Sequence, residues 1–431
     1  MINYKVAVVG DWHLAFVTAT VLSHVGHRVA LVHPNLSKVE LENGFPKPPV
    51  TEPGLPEMIQ GCRTADRLDA KNSYQGWTAE SIWLAIDTPV NDQDEPNVEP
   101  LIEAVSEIAK YHPKIKALMI SSQIPMGFSR ELERRFQLPV VYIPENLRLG
   151  KGIETFLKAD RTVIGADAEV HRSYAKDLLR EFSTEFLLCG LETSEMTKHA
   201  TNAFLATSIS FANELARIGE QYGVESQIVA KALKMDKRIG PAAYVAPGLG
   251  FAGGTLPRDL RVLQRMGKEH SLPTPLLNAV LKVNEETTNA VADIVLNRAR
   301  SLQHKPRVLI LGYTYKADID TLRRSLSVDV AKRLQAEQCE VWGYDPVMNQ
   351  RDLTSLKNVI RHCPTLEECA VKPDVILVMT ARPIFKSIEW KSLKGEKPGL
   401  VLDTQNLLSA EQVLSSGLDF KPLWSPLVQA K

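Results

Sequence analysis

Apolar and polar positions fall into two textures along this chain. Residues 4–10, YKVAVVG, are a short β-branched run closed by glycine, which predicts a buried strand. The following HLAFVTATVLSHVG has apolar residues at helical spacing and predicts a helix that stops at Gly26. Residues 27–33, HRVALVH, read as a second strand, so the three elements form one βαβ unit of a parallel sheet. Strand-like runs recur at 81–86, 117–122 and 139–144 with helical segments between, the pattern of a doubly wound α/β domain.

Near residue 192 the texture changes. A helical segment runs from there without Pro or Gly until Gly219, and later helical stretches end with residues 276–302. Strand texture returns at 307–316, RVLILGYTYK, and continues through CEVWGYD, DVILVMT and GLVLDTQN. The expected fold is therefore α/β, with two Rossmann-like doubly wound domains joined by a central helical domain. The expected boundaries are 1–191, 192–303 and 304–431.

Composition narrows the function classes. A chain of 431 residues is too long for one hydrophobic core. Lys plus Arg and Asp plus Glu both total 51, which leaves no positive field for nucleic acid. Five cysteines, Cys62, Cys189, Cys339, Cys363 and Cys369, are an odd set without CxxC. They argue against a disulfide framework or zinc site and for a reducing compartment. The N-terminus runs straight into an apolar strand, and no stretch of about 18 apolar residues occurs. A cytoplasmic protein without membrane insertion or metal is expected.

Candidate chemistry sits at five places. The first βα turn, GDWHLA (10–15), keeps Gly10 of a dinucleotide fingerprint but has Trp12 and Ala15 at the other two glycine positions. Backbone N–H groups around Trp12, His13 and Leu14 at the helix start still suit phosphate. His33 ends the second strand, where a carboxylate usually accepts ribose hydroxyls. With Lys38 it offers a 2′-phosphate partner, and a solvent-facing histidine is the plain alternative. Lys198 and Asn202 are four apart and share a helix face, suited to holding an oxyanion or a water; an exposed Lys with a polar neighbour is the rival. Residues 238–259, RIGPAAYVAPGLGFAGGTLPRD, are a glycine-rich loop able to wrap a ligand, or a purely structural one. Lys316 and Arg323 follow a strand's carboxyl end, where they suit phosphates or are simply solvated.

Taken in order, EPGL (52–55), DTPV (87–90), SSQIPMG (121–127), PENLRLG (144–150), EMTKHATNAFLA (195–206), the glycine-rich loop, GYTYKADIDTLRRS (312–325) and YDP (344–346) resemble the UDP-glucose/GDP-mannose dehydrogenase family along nearly the whole chain. The resemblance implies an N-terminal NAD domain, a helical dimer-forming core and a C-terminal nucleotide-sugar domain. It also implies oxidation of a sugar C6 alcohol to a carboxylate in two hydride steps, for polysaccharide biosynthesis, with a Cys thiolate capturing the aldehyde on the way to a thioester. By position, Glu145 resembles the acid/base, Lys198 and Asn202 the oxyanion and water-holding pair, and Asp259 the assisting carboxylate. Thr88, Ser122, Gln123, Arg258 and Arg323 fall in the cofactor set. Asn146, Leu147, Arg148, Tyr244, Gly248, Gly250, Phe251, Tyr315, Lys316 and Gln405 fall in the substrate set, and Arg238 resembles an arginine that reaches into a neighbouring subunit.

The departures carry the functional question. Thr255 stands where the family has its nucleophilic Cys, Gln123 where it has Thr, and Gln405 where it has Arg. A Thr hydroxyl is a far poorer nucleophile than a thiolate and needs an adjacent base. The expectation is a nucleotide-sugar 6-dehydrogenase-like oxidoreductase acting on UDP-glucose or a related NDP-hexose with altered chemistry. Its expected cofactor is NAD, with NADP left open. The alternative is a non-catalytic nucleotide-sugar binder or the partner subunit of an active relative.

Overall fold

The β-branched runs at both ends of the chain become central strands whose alternate residues feed two cores. The computed structural model describes residues 2–33, 36–42, 44–91, 96–145, 147, 149–300, 302–314, 316–317, 322, 324–348, 352–369, 372–395 and 399–430. They form two units, 1–201 and 202–431.

The first unit contains β1 (Ile2–Val9), β2 (Val29–Val32), the hairpin β3 (Leu41–Glu42) and β4 (Phe45–Pro46), β5 (Leu68–Lys71), β6 (Trp77–Leu84), β7 (Ala117–Ile120), β8 (Val140–Tyr142), β9 (Thr162–Gly165) and β10 (Phe186–Cys189). Its sheet runs β10-β9-β8-β7-β6-β1-β2-β5. Every pairing is parallel except β8 with β9. Helices α1 (His13–His24), α2 (Leu55–Thr64), α3 (Glu99–Tyr111), α4 (Phe128–Phe136), α5 (Gly152–Leu157) and α6 (Glu169–Leu179) cover it. On β1, Val6 and Val8 join a core with Phe16 and Leu22, while Ala7 and Val9 join another with Leu101 and Val105. A strand buried on both faces reads as a continuous apolar run, which is why β1 stands out in the sequence.

Helix α7 (Leu191–Glu220) is the long helix expected from residue 192 and crosses the boundary between the units. The second unit continues with α8 (Ser226–Met235), α9 (Thr255–Glu269) and α10 (Pro275–Ala299). Then come β11 (Arg307–Leu311), α11 (Leu326–Ala336), β12 (Glu340–Tyr344), β13 (Arg361–His362), β14 (Val375–Val378), β15 (Leu400–Asp403) and β16 (Asp419–Pro422). This sheet, β13-β12-β11-β14-β15-β16, is parallel throughout. No described helix is long and apolar enough to cross a membrane.

Two expectations are corrected. Strands β5, β9 and β10 were not anticipated: each has four residues, and Leu187 and Leu188 of edge strand β10 are exposed, so no burial pattern announces it. Cysteine arithmetic argued against disulfides, yet Cys363 and Cys369 are bonded, both buried, while Cys62, Cys189 and Cys339 remain thiols. An odd total still leaves room for one local pair, here closed by the turn that follows β13.

The start of α7 is fixed by charge. Glu195 is fully buried and accepts the N–H groups of Gly127 (2.6 Å) and Ser129 (2.9 Å). It thereby caps α4, which has no side-chain cap of its own at Gly127. Arg130 of α4 bonds Glu192 and also grips Asp167. The Arg130 guanidinium holds the Glu192 carboxyl down at about 2. That folded value lies below the roughly 4.3 of an unfolded Glu, so the stabilisation is present above pH 4.3 and fades as pH falls towards 2. Partial exposure keeps it modest. Thermal melting followed from pH 6 to pH 2 is therefore expected to show a shallower acid decline in Arg130→Met than in the wild type; identical declines contradict this.

Candidate active site

The turn between β1 and α1 is shaped by crowding. A Cβ on Gly10 would lie 2.5 Å from the Ala85 carbonyl oxygen and 2.8 Å from the Ala15 Cβ. Trp12, which precedes α1, offers no side-chain cap, and its indole is exposed. The positive end of the helix dipole is thus left to an anionic ligand. It sits beyond β1, whose neighbours are β2 and β6, the point where strand order reverses and α/β sheets bind nucleotides. This edge fits a dinucleotide pyrophosphate. His33 follows β2, only 3% exposed and edge-on to Phe16. The solvent-facing alternative is corrected. Burial lowers the His33 pKa, so the ring is neutral near pH 7 and brings no charge to a 2′-phosphate. Lys38 is exposed. The Thr88 hydroxyl donates to the Gln123 carbonyl at 2.6 Å, and the Ser122 hydroxyl is enclosed beside it in sequence.

The loop after β8 carries the next set. Lys198, on α7 and 8% exposed, donates its ammonium to the Glu145 carbonyl and lies 3.4 Å from Glu145 Oε2. Glu145 Oε1 accepts the Leu147 N–H. Further along the loop, Glu52 accepts the N–H groups of Gly150 (2.9 Å) and Gly152 (2.7 Å). The same carboxylate lies 2.7 Å from His13 Nε2, so the His13 ring faces Glu52. Leu14 is half-buried in the same helical turn. Asn146 and Arg148 lie outside the described residues.

In the second unit Asn202 Nδ2 donates to Asp259 Oδ2, and both residues are buried. Thr255 opens α9 one turn before Asp259 and is exposed. Among the described residues its hydroxyl has no hydrogen-bond partner. Arg258, three residues on, is half-buried. The glycine-rich loop is held from several sides. Gly248 N–H donates to Asn213 Oδ1 (2.7 Å) and its carbonyl accepts Trp424 Nε1–H (2.9 Å). The Asn284 amide bonds both backbone groups of Phe251 (2.7 and 3.0 Å). Gly250 has φ +108°, and a Cβ there would lie 2.5 Å from Asn284 Oδ1, so conformation and space both demand glycine. The Phe251 side chain packs with Ala203, Leu260 and Val280, so side chain and backbone together anchor this point of the loop. Tyr244 is partly exposed and borders a cavity with Gly248 and Gly250. Arg238 is exposed and paired with Asp236 (2.7 Å).

At the carboxyl edge of the second sheet, Asp345 follows β12 and accepts the N–H groups of Tyr313 (2.9 Å) and Thr314 (3.0 Å). Arg382, after β14, forms a buried ion pair with Asp345 at 2.8 Å and donates to the Ala317 carbonyl and Thr314 hydroxyl. The segment that bears exposed Lys316 is thereby tied to two neighbouring strands. Gln405 donates to the Met379 carbonyl at 2.9 Å, so its amide is engaged by the end of the neighbouring strand β14. Tyr315 and Arg323 lie outside the described residues.

Sequence reasoning missed the supporting residues: Glu52, Asn213, Asn284, Asp345, Arg382 and Trp424. Glu52 and Asp345 stand in the quoted EPGL and YDP segments, and Asn213 and Asn284 are polar positions within apolar helix faces, so those four left a signal. Arg382 and Trp424 reach partners far away in sequence and left none.

Against known proteins, models of the UDP-glucose/GDP-mannose dehydrogenase family match in chain order: the NAD binding domain over residues 4–183, the central domain over 192–286 and the UDP binding domain over 309–410. The UDP-glucose 6-dehydrogenase YwqF of Bacillus subtilis is 28% identical, with 96% of each chain covered. The UDP-glucose 6-dehydrogenase of Rickettsia felis is 26% identical over 98% of this chain and 97% of its own. The solved UDP-glucose dehydrogenase of Pyrobaculum islandicum superposes with a TM-score of 0.86 at 26% identity, covering 99% of this chain and 98% of that one.

Replacing Arg382 by Met leaves Asp345 buried without its cation. Loss of one partner of a buried pair costs about 3–5 kcal/mol. Denaturant unfolding of Arg382→Met should show a loss of that order, and a loss below about 1 kcal/mol contradicts the role assigned to the pair.

Proposed function

The chain belongs to the UDP-glucose/GDP-mannose dehydrogenase family, and we propose that it oxidises the C6 alcohol of a nucleotide hexose with NAD, without the thioester route. One observation carries the reading. Successive turns of α7 carry Lys198, which is buried against the half-buried Glu145 of the first unit, and Asn202, which is buried with Asp259 of the second. Such pairs suit a proton transfer beside a developing oxyanion.

The first oxidation then needs three things from this chain. Glu145 takes the C6 hydroxyl proton. Lys198 holds that oxygen as charge gathers on it. Gly10 and the start of α1 hold the pyrophosphate of NAD, which supplies the hydride acceptor when bound. Buried, neutral His33 favours NAD over NADP. On the substrate side, the segment from Thr314 to Lys316 and the glycine-rich loop take the nucleotide sugar, with Tyr244, Gly248 and Gly250 against the hexose. The 304–431 region is the nucleotide-sugar domain and 192–303 the helical core.

The second oxidation normally begins with addition of a thiolate to the aldehyde. Thr255 supplies only a hydroxyl, and Asp259, the carboxylate nearest in sequence, is engaged by Asn202. Without a base the hydroxyl stays protonated. Oxidation therefore halts after one hydride transfer and the aldehyde is released.

The core also supports a homodimer. Phe204, Phe211, Leu215 and Ile218 form an exposed stripe along one face of α7, continued by Tyr222 just beyond its end, with Phe204 72% and Tyr222 82% exposed. An apolar stripe of this kind marks a protein interface, and sedimentation of the wild type as a monomer at micromolar concentration contradicts it.

The purified protein, given NAD and a panel of UDP- and GDP-hexoses, is expected to produce reduced cofactor with at least one sugar. Lys198→Ala should lower kcat about 10²–10³-fold with NAD affinity unchanged. If the protein binds a nucleotide sugar yet no sugar yields reduced cofactor, it is a binder and the dehydrogenase reading fails.

A further inference from the structure

We propose that the cavity under the glycine-rich loop holds a subsite for an anionic oxygen group, with Lys234 and Asn213 as its donors. This rests on the nucleotide-sugar reading above and names a chemical demand of that site. The cavity has a volume of about 350 Å³ and is lined by Ile209 and Asn213 of α7, Lys234 near the end of α8, and the loop at Tyr244, Gly248 and Gly250. That volume suits a small-molecule group.

Two independent features set the chemistry. Among the described residues lining the cavity, Lys234 is the one that carries a charge. It is half-buried, and among the described residues it has no hydrogen-bond or ion-pair partner. Other half-buried lysines of this chain are paired, as Lys71 is with Asp69 and Lys421 with Glu220. Asn213 is the second feature. It is 1% exposed, its Oδ1 accepts the Gly248 N–H, and its Nδ2 is enclosed with no acceptor. Enclosed N–H groups in folded proteins nearly always have partners, and an ammonium drawn out of water favours an opposite charge. No described residue lining the cavity is a carboxylate, so the acceptor oxygens come from a ligand.

A nucleotide sugar has two places for such oxygens: the sugar-side phosphate and a carboxylate on the ring. The shared chemistry is a pair of anionic oxygens, and binding data separate the sources. Lys234→Met keeps the apolar stem and removes the charge. Asn213→Asp keeps the oxygen that accepts the Gly248 N–H and replaces the donor with a second oxygen. UDP, UDP-glucose and UDP-glucuronate are titrated calorimetrically into the full chain and both variants, with NAD affinity and melting temperature measured alongside.

Both variants should weaken at least one of these ligands about ten-fold or more, the scale of a hydrogen bond to a charged group. Equal weakening of UDP and UDP-glucose assigns the phosphate. Weakening confined to UDP-glucuronate assigns a ring carboxylate. If the wild type binds these ligands and both variants bind them equally well, the subsite is wrong while the nucleotide-sugar reading stands. If the wild type binds none of the three, the nucleotide-sugar reading falls and takes the subsite with it.

Discussion

A polar group buried on a helix must find a partner, and within each unit the candidate residues are placed by where α7 finds its partners. Glu195 finds the start of α4, Lys198 finds the loop after β8, Asn202 finds Asp259 and Asn213 finds Gly248. Each bond fixes a segment that bears or adjoins a candidate residue, because an unpaired group in these positions costs more than the bond itself yields. Loss of Glu195 would free the N-terminus of α4 as well as the first turns of α7. Loss of Asn213 would release the loop that leads to Thr255.

The fold was largely legible, for reasons visible in particular residues. Val6 to Val9 and Val308 to Leu311 are buried on both faces, so their apolar runs are unbroken and read directly as strands. The same logic fails at β10, where Leu187 and Leu188 lie on an edge and face solvent. Cysteine counting failed for a different reason. The Cys363–Cys369 bond spans a six-residue separation and depends on a local turn, which neither total number nor motif spacing reports.

The candidate site was legible where its residues come in helical pairs, and illegible where they meet across the fold. Lys198 and Asn202 are one turn apart, so a shared face followed from numbering alone. Arg382 and Asp345 meet only because β12 and β14 flank β11 in the sheet. His33 was open between surface and ligand roles; its burial beside Phe16 depends on tertiary packing that no local pattern encodes. Trp12 looked incompatible with a dinucleotide turn, but its exposed indole leaves the turn's close packing to Gly10 and Ala15.

The proposed chemistry turns on Thr255, which opens α9. A helix N-terminus is where a thiolate is best stabilised, but a Thr hydroxyl ionises too weakly to use that field. The direct measurement is the number of NAD molecules reduced per nucleotide sugar consumed, with the product identified by mass. One is expected, with the C6 aldehyde or its hydrate as product. Two, with the C6 carboxylate as product, would contradict it.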